Sequence, residues 1–437
     1  ASIWRKIMNA YVKNKGYKTI SMLSVCFSSI RVFIGPVTLL VLAKKMSSEE
    51  LGFYYTFFSL TAMVQLLEVG MTGVLKQYYS HAYGHSEKNE SGQKISNYFI
   101  FSIYWYLTLS MIFFVLGTVV AYVMFKDYHG SIQWHIPWFL LLLVSCISLM
   151  ILPINAMLDG TQKQHLLIRA NIVSQLMVAF SLWLMIYFGF GLYAMGISQF
   201  IGGVIFLLSI YIFNKYKWDF LKIRRSDFSF RGVFLELWPL LKKTSIVWFL
   251  GYFYWNGFNI ISFKYLGPIT AGYIGISLSI MRAGQNIAIS ILNAQMTLYA
   301  NNIAKGYINE AKKIFDKYFI LSMSLLLLGY GCFYVLYVVK PDFFLFKKVL
   351  PIDQMIYLSV FFIFTFITSA TEIFIRCFKV EKFVVTQIIN SIFTPLLFLL
   401  AIHYNFKYFS LPILSVAIVS VLTIYISKRF YSGYKNV

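Results

Sequence analysis

Apolar residues along this chain come in long runs broken by short polar gaps. Twelve runs of 18 residues or more lie at about 19–43, 51–75, 97–125, 136–158, 166–188, 192–214, 237–263, 271–298, 318–339, 354–375, 383–403 and 409–427. About 20 residues of helix cross the hydrocarbon core of a bilayer, so each run predicts a transmembrane helix. The longest must tilt or project beyond it.

The gap at 215–243, "KYKWDFLKIRRSDFSFRGVFLELWPLLKK", stands near the midpoint and separates six spans from six. Three parts are expected: a six-helix bundle over 1–214, a basic cytoplasmic linker over 215–236 and a second six-helix bundle over 237–437. Six spans return the chain to the side on which it began, so two repeated halves would share one orientation. "LAKKMSSEELGFYY" (42–55) and "SFKYLGPITAGYIG" (262–275) match at an offset of 220, each with a Gly-aromatic pair, Gly52-Phe53 and Gly272-Tyr273. The expected class is an all-α membrane protein, with about twelve transmembrane helices in two six-helix bundles around a central cavity.

Composition supports the pattern: 59% of residues are hydrophobic and 12% charged, against roughly 25% charged in soluble domains. The net charge of +22 would suggest nucleic acid in a soluble protein. Here 28 of the 38 Lys and Arg fall in alternate gaps starting from the N-terminus or at the span ends beside them, and eight in the others, with Arg31 and Arg282 deep inside spans. That bias is the positive-inside rule, and it predicts both termini in the cytoplasm. The excess charge then reads as topology and attraction to anionic membrane lipids, with no nucleic-acid partner. The first span is longer than a signal-peptide core and lacks a small-residue cleavage site, so it is expected to stay as an anchor. The four cysteines show no metal spacing. His81 and His85 stand four apart, but Gly84 and the polar stretch after it point to a loop, so no metal site is expected. All outer gaps are short, which disfavours a membrane glycosyltransferase or polymerase.

Arg31, Glu68, Arg282 and Glu372 lie well within spans. A charge at a helix centre costs about 2.5–3.5 kcal/mol on insertion scales and faces protein or water. Glu372 precedes Arg376 by four residues, the spacing of a helical ion pair. The other three have polar neighbours at helical spacing. Arg282 aligns with Gln285, Asn286, Asn293 and Met296. Glu68 aligns with Thr61, Gln65 and Thr72, and Arg31 with Ser24, Ser28 and Gly35. Span 7 adds Trp248, Tyr252, Trp255, Asn256 and Asn259. Such stripes cannot face lipid, and the simplest arrangement lines one cavity with them. Gly35-Pro36 removes a backbone hydrogen bond beside Arg31 and predicts a bend, with a hinge as its functional reading.

The spans, the basic central gap, "EELGFY" (49–54), "LLEVGM" (66–71) and "AMLDGTQK" (156–163) resemble the polysaccharide exporters of the multidrug/oligosaccharidyl-lipid/polysaccharide superfamily. Wzx-like O-antigen or capsule repeat-unit flippases are the nearest type. The corresponding "FIRCFKVEK" (374–382) lacks the glycine of the last motif. The resemblance implies an undecaprenyl-diphosphate-linked oligosaccharide, turned from the inner to the outer leaflet of the bacterial cytoplasmic (inner) membrane by alternating access. It also implies a place beside glycan polymerase and chain-length machinery in O-antigen or lipopolysaccharide biosynthesis. Arg31 and Arg282 would hold the diphosphate. Asn256, Asn259, Gln285 and Asn286 would bond sugar hydroxyls, with Tyr252 and Trp255 as ring platforms. No covalent chemistry, and so no enzyme activity or cofactor, is expected beyond a coupling proton or sodium ion. Glu68 is expected near one or both arginines, giving up that pairing to the diphosphate and then taking the ion.

Three other readings stand beside this one. A multidrug antiporter of the same superfamily would favour acidic cavity residues. A peptidoglycan-precursor flippase often carries two further helices. A membrane enzyme would need a larger outer loop.

Overall fold

A computed structural model of the chain describes Leu23, Phe27 and residues 30–84, 88–213, 228–378, 380 and 382–435. Among these residues the structure is all-α. The helices are α1 (30–45), α2 (Ser48–Thr61), α3 (Val64–Glu68), α4 (Met71–Gly84), α5 (Lys88–Phe125), α6 (His135–Leu149), α7 (Leu152–Gly160), α8 (Gln164–Tyr187) and α9 (Tyr193–Phe213). After the linker come α10 (Phe230–Ala294), α11 (Met296–Ala304), α12 (Ile308–Val339), α13 (Ile352–Arg376), α14 (Val384–His403) and α15 (Ser410–Lys435).

Nine stretches among the described residues are long and apolar enough to cross a membrane. One of them, Trp248–Ala304, has 57 residues. As a straight helix it would run about 85 Å, nearly three bilayer cores. The chain reverses at Gly267 (φ 82°, ψ 171°), which is followed by Pro268, so the stretch holds two crossings. The pair Ser48–Glu68 and Met71–Tyr83, bent by 47°, adds another, and α1 begins the series. The order matches the twelve expected spans, and the chain is a multi-pass membrane protein.

By contacts the chain forms two units. One takes the residues up to Thr38 and Met63–Trp248; the other takes Leu39–Ala62 and Phe249–Val437. Much of the expected linker lies outside the described residues. Its end enters α10, where Glu236 belongs to the first unit: Tyr98 donates to its carboxyl at 2.6 Å and Tyr78 to its carbonyl at 2.8 Å. In the first unit Gly160 brings α7 onto α4, since a Cβ there would stand 2.4 Å from that of Tyr79. Lys76 and Asp159 close the same contact at 2.5 Å. The "AMLDGTQK" motif is thus a packing joint.

In the second unit Ser47 caps α2 in a reciprocal box with Glu50. The expected Glu372–Arg376 pair is present at 3.2 Å, and Gln387 adds a bond to the same carboxyl. Lys407 donates to Asp353, tying the α14–α15 turn to the start of α13, and that contact raises the ammonium above the usual lysine range.

Candidate functional site

Span 2 departs from the sequence expectation. Thr61, Gln65, Glu68 and Thr72 do not form one helical stripe, because the helix turns at Ala62–Met63 and breaks after Glu68. Val69 is left-handed (φ 47°, ψ 26°) and Gly70 follows at φ 84°. That conformation is a strained one for a β-branched residue. Gly70 has no room for a side chain, since a Cβ would stand 2.7 Å from the Trp248 ring.

Glu68 repairs the break. Its Oε1 accepts the Thr72 backbone N–H at 2.7 Å, one of the unpaired donors at the start of α4. The Tyr106 hydroxyl donates to the same oxygen at 3.0 Å and takes the Thr72 hydroxyl at 2.6 Å. The expected pairing of Glu68 with an arginine is not what the structure shows: among the described residues it makes no ion pair. Its position in sequence gave its depth but could not show that the backbone needed it. Gly70, a residue that takes left-handed backbone freely, was the available signal.

Arg282 lies in the second unit, half-buried on the second arm of α10. Its guanidinium carbon stands 5.1 Å from the centroid of the Trp255 ring, and Nη2 reaches the Trp255 carbonyl at 3.4 Å. The hydroxyls of Tyr55 and Tyr254 lie within electrostatic reach, and Nε is buried with no partner among the described residues. Among the described residues no carboxylate pairs with it. The half-exposed guanidinium keeps part of its hydration, and stacking on the aromatic face adds about 0.5–2 kcal/mol.

The remaining predicted residues divide. Trp255 and Asn286 are exposed, the former holding Arg282. Gln285 is buried. Tyr252, Asn256 and Asn259 are buried and bonded within their own unit: Tyr252 donates to the Ser59 carbonyl at 2.8 Å, Asn259 to the Ser59 hydroxyl at 2.9 Å, and Asn256 to the Tyr252 carbonyl at 3.2 Å. Tyr252 and Asn259 fasten α10 to α2 through Ser59, a small polar residue outside the predicted stripes, while Asn256 bonds within its own helix. Arg31 is exposed and lies 5.6 Å from the Phe27 ring, while Ser24 and Ser28 fall outside the described residues. Gly35 and Pro36 sit inside α1, which continues through them as helix. His81 is helical rather than in a loop, since α4 runs to Gly84; His85 lies outside the described residues. No cluster of metal-ligating side chains occurs among the described residues.

No known family model matches the sequence. No curated protein is similar to it. Solved structures are. One described as the inward-facing conformation of a multidrug resistance MATE family transporter of the MOP superfamily is 12% identical, with 95% of this chain and 99% of that one covered and a TM-score of 0.72. An outward-facing conformation of a transporter so described is 14% identical over 96% and 95%, with a TM-score of 0.58. A MATE structure in the straight conformation is 13% identical over 97% of both chains, with a TM-score of 0.60. At these identities the likeness is one of fold: this chain has the fold of the MATE transporters.

Proposed function

We propose that this protein is a flippase. It carries an undecaprenyl-diphosphate-linked oligosaccharide repeat unit, of O-antigen or capsule type, from the inner to the outer leaflet of the bacterial cytoplasmic membrane. The observation that carries the reading is Arg282: a half-buried guanidinium, oriented by Trp255 and without a carboxylate partner among the described residues, in a chain with a transporter fold. Arg presents a planar fork of donors that suits phosphate oxygens. Alternating access supplies the movement, consistent with the inward- and outward-facing states named for its structural neighbours. The excess of cationic residues on the predicted cytoplasmic side fits attraction to anionic lipid in the inner leaflet, from which loading starts in this reading.

A second reading has support of its own. The neighbours are described as multidrug transporters, so the chain could export amphipathic cations. Glu68, the deep carboxylate available to such a cargo, is occupied by the α4 backbone and Tyr106. Binding separates the two. Purified protein in nanodiscs is titrated with undecaprenyl phosphate and, separately, with a cationic dye. The flippase reading expects saturable binding of the phosphate that Arg282→Leu weakens at least tenfold. Dye binding that ignores Arg282, with no phosphate binding, would establish the antiporter.

A further inference from the structure

The first unit contains a cavity of about 380 Å³ between α1, α6, α7, α8 and α9. It lies within one unit, among helices that cross the membrane. Four amide side chains line it: Asn155 on α7, Asn171 and Gln175 on α8, and Gln199 on α9. Among the described residues no charged one lines it. Among the described residues none of these four amide groups bonds to the protein, and Asn155 Oδ1 is buried with no partner. The neighbouring hydroxyls are engaged. Ser174 donates to the Gly202 carbonyl at 2.7 Å, and Thr38 accepts the Trp183 indole N–H at 2.8 Å.

An amide left unpaired in a low-dielectric interior costs about 1–3 kcal/mol. Asn155 Oδ1 carries that cost, and three further partly exposed amides line the same space, so its contents would complete their hydrogen bonds. Each amide offers two donors and an acceptor, the complement of hydroxyl groups, which both give and take. The absence of charge disfavours a phosphate, which needs cations, and a metal ion, which needs carboxylates or a crowded oxygen shell. Apart from the hydroxyls of Thr38, Ser148 and Ser174 the rest of the wall is apolar, with Phe206 and Leu182 suited to the C–H face of a ring. The volume falls in the range of small-molecule sites.

We infer that this cavity is a binding subsite for a neutral polyhydroxylated group, a glycosyl residue, whose recognition falls to Asn171, Gln175 and Gln199. The inference rests on the proposed glycan-lipid substrate and moves sugar recognition from Asn256 and Asn259 to the first unit.

Trp183, bonded to the lining residue Thr38, is a built-in reporter. The full chain, in nanodiscs free of sugar-based detergent, is titrated with short neutral glycosides: butyl β-glucoside, butyl β-galactoside and butyl β-N-acetylglucosaminide. Fluorescence is followed in the wild type and in Trp183→Phe. At least one glycoside is expected to give a saturable change that disappears in Trp183→Phe. Gln175→Leu/Gln199→Leu should weaken it at least tenfold, and Arg282→Leu should leave it unchanged. Gly203→Val, on the cavity wall, should weaken it by filling space. Undecaprenyl phosphate binding by the double variant serves as the folding control and should match the wild type. The inference is overturned if no glycoside binds, which would make the cavity a water site. It is also overturned if the change survives Trp183→Phe, or if the double variant binds glycoside as the wild type does. Loss of undecaprenyl phosphate binding in the wild type, with glycoside binding intact, would instead overturn the diphosphate reading and leave this subsite standing.

Discussion

A Cβ atom on Gly272 would stand 3.0 Å from the backbone nitrogen of Gly52 and 2.1 Å from the carbonyl oxygen of Ser48. Conversely, a Cβ on Gly52 would stand 1.9 Å from the carbonyl oxygen of Pro268. These glycines are the pair that the sequence aligns at an offset of 220. The faint internal repeat therefore marks the place where α2 and the second arm of α10 meet backbone to backbone inside the second unit.

The obstructing atoms belong to the main chain and cannot rotate away. Gly52→Ala and Gly272→Ala should each destabilise the second unit by about 1–3 kcal/mol or more. A thermal-unfolding assay in detergent should show a lower midpoint for both. Gly35→Ala, where a Cβ would meet nothing within 4 Å, should not lower it.

Glu68→Ala removes the acceptor of the Thr72 N–H and the Tyr106 hydroxyl. Leaving buried donors unpaired costs about 1–3 kcal/mol, and α4 should fray at its start, read as faster hydrogen exchange at residues 71–74. Glu68→Gln keeps an oxygen in the same place and should stay within about 1 kcal/mol of the wild type. If Glu68 also couples transport to a proton or sodium gradient, Glu68→Gln should fold normally yet lose stimulation by the gradient. An unchanged gradient response would leave Glu68 with the capping role alone.

The twelve spans were legible because the bilayer imposes one length and one composition on every crossing. The break in span 2 was not, because it depends on Val69 and Gly70 adopting left-handed conformations under Trp248, a contact between residues nearly 180 positions apart. Arg282 and Trp255 each stood out as a polar or aromatic residue in an apolar run, but their stacking on one another was not legible. Depth alone could not separate Asn259, which is committed to Ser59, from Gln175, which has no partner among the described residues. Asn171, Ser174 and Gln175 do form a polar stripe at spacings of three and one on α8, and reading that stripe would have pointed to the first unit.

Pro36 lies in the interior of α1 and leaves the Val32 carbonyl without its helical donor. Pro36→Ala should restore that bond and stiffen α1. If the position is a joint, turnover should slow several-fold while the affinity for undecaprenyl phosphate stays within twofold. Equal turnover in both proteins would leave only a static irregularity.

Arg282→Lys keeps the charge but loses the planar fork and the stacking on Trp255. It should retain part of the undecaprenyl phosphate affinity, weaker than wild type and stronger than Arg282→Leu. Trp255→Leu should weaken binding less than Arg282→Leu, since Trp255 orients the guanidinium and does not itself carry charge. Titration of the three variants side by side gives the ranking.

Leaflet reversal tests the central claim most directly. Proteoliposomes carrying undecaprenyl-diphosphate-linked oligosaccharide in both leaflets are treated with a glycosidase that cannot cross the membrane, and the fraction of lipid cleaved is followed with time. Wild-type protein should bring nearly all the glycan-lipid within reach of the enzyme, while Arg282→Leu should leave the inner-leaflet half protected. Protection of that half in the presence of the wild-type protein, or equal exposure by Arg282→Leu, would contradict the account.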